Sequence, residues 1–113
     1  MVPPSQLTIS TSSLQRLVKE EASYHKELAQ QQARITELEK PSEDENAEYK
    51  LKQEKQALEE TKAVLPSMKK KIQDALEKLE EQLEATGGDA SETELSKAKE
   101  VIASAKEAIK DEA

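Results

Sequence analysis

Apolar residues recur at alternating steps of four and three from Leu51 to Leu79, and the phase passes unchanged through a proline. The positions are Leu51, Glu54, Leu58, Thr61, Leu65, Met68, Ile72, Ala75 and Leu79, and only Glu54 and Thr61 among them are polar. This spacing is the a/d seam of a helix that packs against other helices. Proline lacks an N–H and its ring strikes the carbonyl four residues back, at a cost of roughly 3 kcal/mol inside a helix. Because the seam keeps its phase on both sides of Pro66, one long helix kinked there is expected, not two with unrelated packing.

An earlier seam runs through Leu14, Leu17, Glu21, Tyr24, Leu28, Gln31, Ile35 and Leu38, and Leu7 extends it back by one heptad. Pro4 and Ser5 suit a helix start, so the first helix is expected to open near Ser5, although Thr8 to Ser13 has weak helix propensity. Lys40 precedes Pro41 and is biased away from helix. Ser42 and Glu45 then read as a capping box for the second helix. So short a connection makes the two helices antiparallel neighbours. Gly87 and Gly88 form the next break, where a glycine can take the left-handed conformation that ends a helix. Ser91 and Glu94 make another capping box, and Leu95, Ala98, Ile102, Ala105 and Ile109 mark a third helix with small residues suited to close approach. The expected fold is all-α: a single domain over 1–113, an elongated antiparallel three-helix bundle with spectrin-like, coiled-coil packing and helices near 5–39, 43–85 and 92–111.

At 1.5 Å per residue the second helix spans roughly 65 Å and the third only roughly 30 Å. Running back from the Gly-Gly turn, the third helix should stop near Pro66. Residues 28–38 and 47–58 would then form a bare two-helix hairpin, and Gln31 and Glu54 on its seam suit a partly wet tip.

Composition agrees with narrow apolar stripes and not with a thick core. Of the 113 residues 35% are hydrophobic and 36% charged, and Phe and Trp are absent. No cysteine is present, which excludes disulfides and thiolate chemistry and suits a reducing compartment. The opening Met-Val-Pro-Pro-Ser lacks the basic start and apolar core of a signal peptide, and no apolar run approaches membrane length. A soluble cytoplasmic protein with no membrane contact is therefore expected. The net charge is −7, with the acidic excess in the later two-thirds of the chain, which argues against nucleic acid as a partner. The run Lys69-Lys70-Lys71 reads as a solvated helix face.

Little in the sequence suggests catalysis. His25 is the single histidine, on an e-like surface position, with no cysteine beside it and no second histidine to share a metal. Acidic pairs such as Glu20-Glu21, Glu59-Glu60 and Glu80-Glu81 are consecutive, so on a helix they diverge. No catalytic residue, metal site or cofactor is expected, and the protein is read as a non-enzyme. What remains is surface. Tyr24 sits on the first seam, where core packing is the simpler reading. Tyr49 lies off the seam near the tip, where it serves as an interface anchor or caps the hairpin end. Arg16, Lys19 and Glu20 form an exposed charged stretch, for which solvation is the plain explanation.

Several segments taken in order carry a resemblance. They are Gln6-Leu7-Thr8-Ile9; Arg16-Leu17-Val18-Lys19-Glu20-Glu21 followed by Tyr24; Tyr49-Lys50-Leu51-Lys52; and Leu58-Glu59-Glu60-Thr61-Lys62-Ala63-Val64-Leu65-Pro66. Together they resemble the tubulin-binding cofactor A family, small helical chaperones of the tubulin-folding pathway. The resemblance covers most of residues 5–84. It implies a protein that captures β-tubulin folding intermediates on a helical surface, passes them to other tubulin-folding cofactors and uses no nucleotide or metal. It implies a cytoplasmic, cytoskeleton-associated location and either a monomer or a homodimer. Carried over residue by residue, it makes Arg16, Lys19, Glu20, Tyr24, Glu59, Glu60 and Lys62 partner-binding positions, to which the exposed Tyr49 is added. Two other readings fit the same helices: a structural coiled-coil module that self-associates, and a spectrin-like adaptor for another protein.

Overall fold

A computed structural model of the chain describes residues 5–110. Three helices follow in order: α1 over Gln6–Leu38, α2 over Ala47–Thr86 and α3 over Glu92–Lys110, with a single 3-10 turn over Gly87–Asp89 before α3. The described residues contain no strand. The molecule is a rod with extents of 66 × 34 × 17 Å. The 40 residues of α2 account for its long axis, since they span roughly 60 Å.

The start of α1 follows the sequence reading. Ser5 is the N-cap, and its side chain accepts a hydrogen bond from the Thr8 amide at 3.1 Å. The weak helix formers that follow are held by packing. Ser10 and Thr11 are buried, and the Thr11 hydroxyl donates to the Leu7 carbonyl at 2.7 Å, which removes the penalty of burying it.

The second helix departs from expectation at its start. The capping box at Ser42 and Glu45 does not form, and α2 opens at Ala47 instead of near 43. Asp44 takes over the turn. Its carboxylate accepts from the Asn46 amide at 2.9 Å and from Lys50 Nζ at 2.8 Å, while the Ser42 hydroxyl accepts from the Asp44 amide. Short polar side chains satisfy local backbone here and so compete with helix. The lysine and the amide together hold the Asp44 carboxyl below its ordinary pKa.

Pro66 lies inside an unbroken α2, as the constant phase requires. Pro66 and Lys62, whose carbonyl loses its helical partner, are both exposed, so water can satisfy the orphaned group. All nine expected seam residues of α2 are buried or half-buried. Leu76 is buried as well, one position beyond that seam, because a helix flanked by two others needs a wider stripe. The helix ends at Gly87, whose φ of +55° is open to glycine and closed to most side chains.

α3 packs parallel to α1 and closes a core of Leu7, Leu14, Ile72, Leu76, Leu79, Ala98, Val101 and Ala105. Fully burying a leucine or isoleucine of this kind contributes about 1.5–3 kcal/mol. The capping box at its start forms as read from sequence: the Glu94 amide donates to the Ser91 hydroxyl and the Ser91 amide to the Glu94 carboxylate. The same carboxylate also accepts from the Ser5 and Thr8 hydroxyls of α1. These donors lower the pKa of Glu94 from 4.5 to about 2. The expected end of α3 at 111 lies outside the described residues.

The core cluster contains no residue between 19 and 71. Residues 28–38 and 47–58 form the two-helix hairpin that the helix lengths implied. Its seam is drier than expected: Gln31 is only 3% exposed, and Glu54 is half-buried against Arg34, 2.7 Å away on α1.

Candidate functional site

Arg16, Lys19 and Glu20 fall at i, i+3 and i+4 on α1 and are all exposed, which puts them on one face. They belong to the three-helix half of the rod. Lys19 forms one lip of a recess between α1 and α3, with Lys97 and Glu100 on the opposite lip. Tyr24, one turn further on, is half-buried and lies outside the core cluster, at the edge and not in the interior.

Glu59, Glu60 and Lys62 are exposed on α2, and Lys62 Nζ stands 3.8 Å from Glu59 Oε1 within the same helix. Such surface pairs contribute little, about 0–1 kcal/mol. Arg34 pairs with Glu54 across the antiparallel helices, which sets Glu59 level with about residue 29 of α1. Glu59 is therefore roughly 20 Å along the rod from Arg16, at 1.5 Å per residue. Tyr49 is farther still, on the first turn of α2, 63% exposed, its hydroxyl accepting from Gln53 Nε2 at 2.9 Å. The eight residues form two patches and an outlying tyrosine along one rod, not a single cluster.

Other groups on the α1–α3 side escaped the sequence reading. Glu21 is 4% exposed, and its Oε1 stands 3.5 Å from His25 Nε2. Both line a recess closed on the α3 side by Ser104, Glu107 and Ala108. An acidic residue on an apolar seam with a histidine four positions later was the available signal. The α3 partners had none, because nothing in the sequence fixes how α3 is rotated against α1. Among the described residues no group of three or more His, Cys, Asp or Glu side chains is placed to hold a metal ion. No helix of the described residues is long and apolar enough to cross a membrane. The arrangement offers charged, exposed helical faces with shallow recesses between α1 and α3.

The family model for Tubulin binding cofactor A matches residues 2–102. The chain belongs to that family. A curated relative, Tubulin-specific chaperone A of Saccharomyces cerevisiae, is 39% identical over 66 residues, which is 58% of this chain and 59% of the yeast protein. The alignment thus spans less than two thirds of that relative's length. No solved structure matches the chain. In this chain, the segment from Leu58 to Pro66 lies level with the last described turn of α3. Ala108 sits beside His25 of α1, which is level with the early sixties of α2. Glu59, Glu60 and Lys62 therefore mark the junction between the three-helix half and the hairpin.

Proposed function

We propose that the protein is a tubulin-folding chaperone that captures β-tubulin folding intermediates on its helical surface and hands them to other tubulin-folding cofactors, without catalysis. The observation that carries this reading is the family match along nearly the whole chain, 2–102, reinforced by a rod whose charged faces are open to a large partner. The protein works in the cytoplasm, as a monomer or homodimer, and sedimentation at several concentrations distinguishes the two.

Physical chemistry constrains the encounter. The chain carries −7, and at physiological salt fields fade over roughly 8 Å, so capture is decided by contacts at close range and not by long-range attraction. Local basic groups on the open faces supply them, with Arg16, Lys19 and Lys62 meeting acidic groups beside apolar surface. The test is to incubate the chain with native tubulin dimer and released β-subunit together. Retention of β without α is expected; equal retention of both subunits, or of neither, overturns the reading. Reversing Arg16 and Lys19 to glutamate should weaken capture about tenfold while helicity stays unchanged, since a charge at an interface core is worth on the order of 1 kcal/mol or more. Unchanged capture would remove that patch from the interface.

A further inference from the structure

Two recesses share Val18 and Ser104 and so merge into one groove along the α1–α3 seam. The groove is shallow and lined by small or β-branched residues. Val18 and Val101 floor its upper part, and Ala22, Ser104 and Ala108 its lower part. Because α1 and α3 run parallel, it continues over about three turns without a crossing helix to close it. Side chains this small let another backbone approach closely, as helix-in-groove recognition requires.

The rims are polarised. Lys19 of α1 and Lys97 and Glu100 of α3 line the upper recess. At the lower end stand Glu107 and the buried Glu21 with its His25 neighbour, and no lysine or arginine lines that recess. Such a recess fits an arginine or lysine: Val18, Ala22 and Ala108 take the methylene stem, and the exposed Glu107 carboxylate and the Ser104 hydroxyl take the head.

The geometry points to the α1–α3 groove as the seat of an amphipathic helix of the bound client. That helix carries a basic side chain into the Glu21–Glu107 recess and, about two turns away, an acidic one between Lys19 and Lys97. The inference rests on the chaperone reading above and names the part of the surface that does the holding. A fourth helix laid in the groove packs on two parallel helices from outside the closed core, as neighbouring helices of a bundle do.

The experiment measures capture of released β-subunit by the wild-type chain and three variants, each checked for unchanged helicity by circular dichroism. Ser104→Trp fills the middle of the groove from an exposed position and should weaken capture about tenfold or more. Glu107→Lys should weaken it by a similar factor, and added salt should narrow its difference from wild type. Ala103→Trp adds the same bulk at an exposed position that lines neither recess, and should change capture less than about twofold. Equal capture by Ser104→Trp and wild type, or equal losses at Ser104 and Ala103, overturns the groove. Failure of the wild-type chain to capture β-subunit overturns the chaperone reading instead, so the two failures are distinct.

Discussion

Glu94 accepts hydrogen bonds from the hydroxyls of Ser5, Thr8 and Ser91 and from the Ser91 amide, so one carboxylate ties the start of α3 to the start of α1. All four donors favour the ionised form, and its pKa falls from 4.5 to about 2. A carboxylate with a depressed folded pKa stabilises the fold above its unfolded value, and that stabilisation disappears as pH falls through the folded value. The contribution of Glu94 should therefore be complete above about pH 5 and fade between 4.5 and 2. Glu94→Gln should melt below wild type at neutral pH, and the gap should close toward pH 2 in thermal unfolding followed by circular dichroism. A gap independent of pH would mean that the clasp does not depend on charge. The local half of this clasp was legible, because Ser91 and Glu94 are three apart ahead of an apolar run. The contacts to Ser5 and Thr8 were not, since they join residues 89 and 86 positions apart and depend on how α3 is rotated.

At the scale of elements, the seam periodicity placed every expected α2 seam residue at least half inside and carried the helix through Pro66. Period is a strong signal because each position is checked by its neighbours. A helix start rests on one or two side chains, and there the reading failed: Ser42 and Glu45 have the spacing of a cap, but Asp44, between them, bonds the Asn46 amide and Lys50 and holds the chain in a turn. Proline within α2 is a local cost set against a continuous seam. Pro66→Ala restores the missing N–H to the Lys62 carbonyl and relieves the ring clash, worth up to about 3 kcal/mol in a free helix. The loss of proline's restraint on the unfolded chain offsets about 0.4–1 kcal/mol of that. A net gain of about 1–2 kcal/mol in denaturant unfolding is expected. If a bent rod is what the client fits, capture of β-subunit should fall although the variant is more stable. Full capture by the more stable variant would show that Pro66 carries no function.

At the scale of the whole molecule, the rod is unequal along its length. One half has three helices around a shared core, and the other has two helices joined by a single seam that includes Thr61, Glu54 and Gln31. Gln31 is buried there, so the seam gives one of its positions to a polar side chain where no third helix adds apolar packing. Regions with fewer buried apolar contacts open at lower free energy. Amide hydrogen exchange should accordingly divide the chain near residues 27 and 61. Amides of 7–17, 68–83 and 98–105 should exchange at rates close to global unfolding, and those of 28–38 and 47–58 faster by about tenfold or more, a difference of about 1.4 kcal/mol in opening. Uniform protection would mean that the hairpin gains its stability from something other than buried contacts. This division was readable from lengths alone, since a 19-residue α3 cannot cover a 40-residue α2. On the proposed chaperone reading it also separates two tasks: the stiff half holds the groove and the Arg16–Lys19 face in fixed relation, while the softer hairpin, with Tyr49 near its end, adjusts to the client.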